Sequence, residues 1–447
     1  MIQRSLMLFS LLITHVVSAQ QASPLSLDQA VETALENNRE VTIAQKDVQA
    51  SHDKVTEYRA IGLPQVNGEI SFQNFLDIPT QVIPANAFNP MADPNELVGV
   101  RFGTDYNATA SITVNQLLFD GSYITGLKAA RRYPEISNLQ LIMKKRDLKF
   151  DVTSAYLSAV IAQENIRIVS VNIDTTERLL EQLAGLIEVG VSDSTEYDQL
   201  TLNLQRIKNS KAQAERQYEL SLMLLKLVMG VELDKDIELS MTFNDLLEDL
   251  GANPRDIQGF DPAQRTEHKL METQIELKDL DLQVQNNMAL PSVGAFFQHQ
   301  QQALRNEFNF FNDDPWYPAT IWGISVQVPI WSSFDNKSKI AQKQIEVEKT
   351  QEEITLLDRN LQLMANQSLI NYQSAADVFL TEKDNLALSE KILNRHLIQY
   401  RLGVINSITL TQIQQQHLAA QSSYIGAAMD LVNASVELDK ILYNPNE

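Results

Sequence analysis

The chain repeats itself. Ile112-Thr-Val-Asn-Gln-Leu-Leu-Phe119 is echoed by Ile324-Ser-Val-Gln-Val-Pro-Ile-Trp331, Gly190-Val191 by Gly403-Val404, and Leu63-Pro64 by Leu290-Pro291. The offsets are 212, 213 and 227 residues, and they agree except where a loop and a linker differ in length. Such internal symmetry governs every later assignment. Each half reads helix, strand, strand, long helix, helix. Two strands per half make four, and four strands cannot close a barrel, for which about eight is the smallest useful number.

The helices come from glycine-free, proline-free stretches. The stretch from about Ser122 to Ile187 has no proline after Pro134 and no glycine between Gly126 and Gly185. From Leu148 the apolar residues fall at Val152, Ala155, Ala159, Ala162, Ile166, Val169 and Ile173. After a lapse at Thr176 they continue at Leu180, Leu183 and Ile187. Steps of four and three are the heptad seam of supercoiled helices. At ~1.5 Å per residue such a helix would be on the order of 100 Å long, too long for a globular core. A second helix is expected over about Ser194–Met229. The equivalents in the other half span about Ser333–Arg401 and Gly403 to about Tyr443.

The strands announce themselves by a change of period. Val66, Gly68, Ile70 and Phe72 alternate with Gln65, Asn67, Glu69, Ser71 and Gln73. Ala108, Ala110, Ile112 and Val114 alternate with Thr109, Ser111, Thr113 and Asn115. Val293, Ala295 and Phe297 share a face in the second half, and Trp322, Ile324, Val326, Val328 and Ile330 oppose Gly323, Ser325 and Gln327. Strands of ~9–11 residues with one apolar and one polar face suit a membrane barrel with a wet lumen. An ordinary half-buried hairpin gives the same signal. Trp316, Tyr317, Trp322 and Trp331 lie near strand ends, where an aromatic girdle sits. Four such strands in lipid would leave open edges, so the chain must oligomerise, and a trimer would supply twelve strands.

The N-terminus reads as an export signal over residues 1–19. Arg4 supplies the charge, Leu6 to Val17 the apolar core, and Val17-Ser-Ala19 the cleavage site. No later apolar run has the length of a spanning helix. The absence of cysteine rules out disulfides, thiolate metal sites and a cysteine-linked lipid anchor. The formal net charge of −21 disfavours nucleic-acid binding and could bias a lumen toward cations. None of the six histidines (His15, His52, His268, His299, His396, His417) sits at metal-ligand spacing, and phosphate loops and nucleophile elbows are missing. No catalytic, cofactor-binding or metal-binding residue is assigned, and no enzyme activity is expected.

The segmentation is therefore 1–19 signal, 20–63 N-terminal helices, 64–120 strands with an outer loop, 121–230 long helices, 231–262 a mixed linker, 263–290 helix, 291–331 strands, and 332–447 long helices with the C-terminus.

The ordered set resembles the TolC family of outer-membrane efflux and secretion channels over essentially the whole mature chain. The resemblance rests on Leu25-Ser-Leu-Asp-Gln-Ala30, Ala34-Leu-Glu-Asn-Asn38, the leucine-proline pair before each strand pair, the duplication, and the glycine-marked turns at Gly190 and Gly403. It implies a mainly helical homotrimer with a twelve-strand β-barrel in the outer membrane of a Gram-negative bacterium, embedded in its lipid. A long α-helical coiled-coil barrel would extend from it into the periplasm. A periplasmic adaptor and an inner-membrane pump would deliver the substrate, small molecules with a proton-driven pump. Protein secretion with an ATPase exporter is the alternative, and an exported coiled-coil scaffold or adhesin without a pore is the rival of another class.

The resemblance also places a gate at the glycine turns. The family's acidic residue after the first glycine and tyrosine before the second fall on Glu196 and Tyr400. Ile405 replaces an arginine of the family's best-known pattern, and its paired entrance aspartates fall on Thr409 and Gln412. Asp193, Glu196 and Asp198 would then supply any acidic lining. Solvated helix ends, capped locally, are the plainer reading of the same residues.

Overall fold

The computed structural model describes residues 24–188, 194–252 and 256–444. The expected signal, Gly190 and Asp193 lie outside the described residues. The helices are α1 (Leu27–Asn37), α2 (Arg39–Ile61), α3 (Gly121–Ala130), α4 (Tyr133–Glu188), α5 (Ser194–Met229), α6 (Phe243–Ala252), α7 (Thr266–Asn287), α8 (Asp335–Arg401) and α9 (Ser407–Leu442). The strands are β1 (Gln65–Asn74), β2 (Thr80–Pro84), β3 (Leu97–Arg101), β4 (Tyr106–Phe119), β5 (Ser292–Arg305) and β6 (Tyr317–Gln327). Contacts gather the chain into two compact units, each drawn from both halves of the repeat.

One unit, Ile43–Met143 with Asp261–Leu361, carries the strands. Its main sheet is antiparallel in the order β1-β4-β5-β6, so β1 and β6 are open edges. The register puts Ile70 beside Ala110 and Gln301, and Val114 beside Phe297 and Trp322. That face is mostly apolar. Gln65, Asn67, Glu69, Ser71 and Gln73 fall on the other face with Asn107, Thr109, Ser111, Thr113 and Asn115, and with Gln298, Gln300 and Gln302. On this polar face Gln302 donates to Asn107 over 3.0 Å.

Two strands differ from expectation. Residues 298–302 are polar on both faces, so their alternation is invisible in the sequence, yet β5 continues to Arg305 by pairing with β4. β6 stops at Gln327, before Pro329, although its counterpart β4 runs on to Phe119. Proline cannot donate to a ladder, so the two repeats diverge there. The outer loop after β1 holds its own hairpin of β2 and β3.

The long helix expected from Ser122 is broken between α3 and α4. Pro134 lacks a donor and its ring clashes with the carbonyl four residues back, so the helix restarts just ahead of it. Asp120 caps α3 by accepting from the Tyr123 amide at 2.9 Å. Asn287 of α7 donates to Thr125 of α3 at 2.7 Å, locking the two helices at the foot of the sheet.

The other unit comprises the described residues up to Thr42, Lys144–Phe260 and Gln362–Asn444. α1 begins with the expected capping box of Ser26 and Gln29. Leu25 pairs with Leu239, and the buried Tyr156 hydroxyl donates to the Leu25 carbonyl at 2.7 Å. The linker is thus partly ordered, with α6 inside it. The seam of α4 is buried at Val152 and Ala159, but Tyr156, Val160 and Ile161 are buried too. This helix is covered on a wider arc than a two-helix zipper needs. Thr176, where the heptad lapses, is fully buried and donates its hydroxyl to the Asn172 carbonyl, so it costs no unpaired donor.

α5 ends at Gly230, whose φ is +70° and whose missing Cβ would lie 2.7 Å from the Asn37 carbonyl oxygen. Asn38 donates to the Val228 carbonyl beside it at 2.8 Å. Gly230→Ala is expected to destabilise the helical unit by about 1–2 kcal/mol from the left-handed backbone alone, with the steric overlap adding to it. Thermal melting followed by circular dichroism in detergent checks this, and an unchanged midpoint would contradict it.

Candidate functional site at the helix ends

The ends of α4 and α8 and the starts of α5 and α9 pack into one apolar cluster. Leu179, Leu180 and Leu183 come from α4, Leu200, Leu204 and Ile207 from α5, Leu393 and Leu397 from α8, and Leu410 from α9. Tyr400 and Ile405 pack on its rim. Ile405, standing where the resemblance places an arginine, therefore extends the core instead of offering a charge.

The turn from α8 into α9 is built locally. Gly403 has φ +68°, and the Val404 amide reaches back to the Gln399 carbonyl at 2.9 Å, closing a glycine-stopped helix end. Asn406 then caps α9, accepting from the Thr409 amide at 3.0 Å and from its hydroxyl at 2.9 Å. Thr409 is thus engaged in a cap, the plainer of the two readings for that position. Gln412 and Asp198 are exposed on their helices.

The structure brings Glu196 and Tyr400 together. The Tyr400 hydroxyl is buried and finds no hydrogen bond of standard geometry, so the contact is a loose one. Burial, then the Glu196 charge and the hydrogen bond its carboxylate offers, push the Tyr400 phenol up to about 12. A neutral phenol at the foot of α8 thus faces a carboxylate on the first turn of α5.

Two further cross-links escaped the sequence reading. Ser407 donates to Gln199 at 3.0 Å, and Asn203 donates to Gln414 at 2.8 Å in a buried setting. Asn203 and Gln414 are 211 residues apart, nearly the repeat offset, so the duplication itself held the signal: α5 and α9 meet at matching positions.

One turn beyond lies a directional hydrogen-bond chain. Ser389 donates to the Leu386 carbonyl at 2.9 Å, so its oxygen accepts from His417 Nδ1 at 2.9 Å. His417 Nε2 then accepts from the Gln421 amide at 2.9 Å, and Gln421 accepts from Asn172 at 2.6 Å. The chain fixes the neutral Nδ1–H tautomer and ties α8, α9 and α4. It borders a groove of about 500 Å³ whose charged walls are Glu164, Arg167, Lys383 and Glu390. Burial pulls the His417 imidazolium down, with Glu390 opposing. A lowered value favours the neutral ring, so this contribution is complete above pH ~6.5 and is lost as pH falls through the folded-state value. Melting should drop between pH 7.5 and 5, and His417→Gln should flatten that dependence. An equally steep profile in the variant would refute the assignment.

Among the described residues no helix is long and apolar enough to cross a membrane, and no group of three or more histidines and carboxylates is placed to hold a metal ion. A sheet with one apolar face, one amide-rich face and two open edges, joined to paired long helices, defines one protomer of a composite channel. The outer membrane efflux protein profile matches residues 30–231 and 263–442, and the chain belongs to that family. The family is one of channels, not enzymes; its members form trimers and work with adaptors and inner-membrane pumps in the outer membrane of Gram-negative bacteria. Similar solved structures include CusC, with a TM-score of 0.73, 14% identity and coverage of 93% of this chain and 91% of that one. The Campylobacter jejuni CmeC channel gives 0.69, 13%, 93% and 85%, and VceC from Vibrio cholerae gives 0.69, 12%, 94% and 97%. No curated protein matches the chain at the sequence level.

Proposed function

We propose that the chain forms a passive exit duct for small molecules, fed at its helix ends by a periplasmic adaptor and an inner-membrane pump driven by protons. The observation that carries this reading is the two-faced sheet. Its polar face holds amides and hydroxyls with Glu69 as its one charged strand residue among those described, which suits a water-filled passage for diverse solutes. The structural neighbours named in their descriptions as outer-membrane channels support the same use. The long helices supply the periplasmic stretch, and Glu196 with Tyr400 closes its end, with the exposed Asp198 as acidic lining. Docking of the adaptor opens that end only to the extent that the adaptor binds the open form better.

The test is fractionation followed by planar-bilayer recording. A detergent-stable trimer from outer membranes that conducts ions supports the duct. A species that leaves the envelope without detergent, or that never conducts, overturns it. Co-purification then separates the two cargoes: a proton-driven pump in the complex supports efflux, and an ATPase exporter assigns the duct to protein secretion.

A further inference from the structure

The hairpin of β2 and β3, with the segment leading into it, leaves an apolar surface that nothing among the described residues covers. Leu76 is 90% exposed and Met91 94%, and Val82, Phe88 and Leu97 are also exposed. Residues 78–92 contain no charged side chain. A free surface of that composition in water is a liability unless something packs on it. The loop that precedes β6 shows a matching imbalance. Its Phe308 and Phe310 pack edge-on against Phe72, and Phe308 also against Tyr106, at centroid distances of 5.6–6.0 Å. Phe311, touching only the Phe308 ring among the aromatics, is 91% exposed, and Trp316 and Tyr317 are exposed beside it.

Topology says where these two surfaces go. β1 and β6 are the edges of the sheet, and closing a barrel from several copies requires β1 of one copy to pair with β6 of the next. The apolar segment begins at Leu76, two residues past the outer end of β1 at Asn74, and runs into β2 at Thr80, while the loop over 306–316 leads directly into the outer end of β6. The edge pairing therefore sets one copy's hairpin beside the next copy's Phe311 and Trp316.

We propose that the β2–β3 hairpin is a subunit clamp. Its apolar face, from Leu76 to Met91, packs on the loop over 306–316 of the neighbouring copy and fastens the outer rim of the barrel. This rests on the trimeric channel reading and goes beyond it, since edge pairing alone does not require the loops to touch. The occupant is a second copy because the apolar surface begins where the inter-copy strand edge ends, and because the second loop leaves the outer face of Phe311 exposed within the copy.

The absence of native cysteine makes the test clean. Four double variants combine Leu76→Cys or Met91→Cys with Phe311→Cys or Trp316→Cys in the full chain, in outer-membrane vesicles under mild oxidation. The expected result is that at least one pair converts more than half of the chains to reducible dimers and trimers on denaturing gels. A companion variant, Leu76→Asp with Met91→Asp, should lower the temperature at which the trimer dissociates in dodecyl sulfate. Native mass in mild detergent reports the trimer separately. A trimeric preparation with all four pairs free or closed only within one chain overturns the clamp and leaves the duct standing. A monomeric preparation overturns both. Quenching of a dye on Met91→Cys by nitroxide lipids would assign the hairpin to the membrane surface, and that outcome also overturns the clamp.

Discussion

Glu196→Ala combined with Tyr400→Phe is expected to raise the open fraction of the reconstituted trimer by about two orders of magnitude. The contact between these groups is loose, so ~1 kcal/mol per copy is a fair net value. Three copies that move together lose ~3 kcal/mol, and each 1.4 kcal/mol is a factor of ten. Single-channel conductance in planar bilayers reads the change, and an unaltered conductance would remove the gate from this pair. The wild type carries its own control. The Tyr400 phenol is pushed up to about 12, above its ordinary value, so the neutral-phenol contact is complete below pH ~10 and is lost as pH rises through the folded-state value. Conductance should climb over that alkaline window and should not climb in Tyr400→Phe.

Leu200→Ala is expected to be the most destabilising single change at the helix ends. Leu200 has no exposed surface and sits one turn beyond Glu196, amid leucines from four helices. Truncating a leucine so enclosed costs ~2–5 kcal/mol, part of it lost transfer energy and part the cavity left behind. Urea unfolding of the detergent-solubilised trimer, followed by far-ultraviolet circular dichroism, measures it. A loss below ~1 kcal/mol would mean that the cluster relaxes freely and does not hold the ends together.

The two predictions draw on different amounts of foreknowledge. The long helices were legible because their signals are redundant: a heptad seam, glycine punctuation and a second copy of each. α5 runs from Ser194 to Met229 as read from its flanks. The break before α4 was legible only in Pro134, a single residue whose effect competes with the helical pattern on either side. The outer half of β5 was not legible at all. Gln298 to Gln302 show no alternation, and the strand exists because β4 offers it a partner across the sheet.

The end of the helical unit divides in the same way. Glu196 and Tyr400 lie 204 residues apart, and only the resemblance to the family, counted from the glycine turns, put them together. The Ser389–His417–Gln421–Asn172 chain gave no warning, because amides and hydroxyls on a glutamine-rich helix read as solvent-facing. Its members become partners only once α8, α9 and α4 are packed. Thr409, mapped onto an entrance aspartate, proved to be bound into the Asn406 cap, a role that short-range geometry imposes on any residue three positions after such a cap.

The Asn203–Gln414 bond also bears on ancestry. Because the two halves touch at matching positions, a chain of half this length would offer its own copy nearly the same surface. Six such half-chains could assemble the ring that three full chains now build. In such a ring the same contact would recur between each copy and the next; the fused chain makes it once within itself, between Asn203 and Gln414.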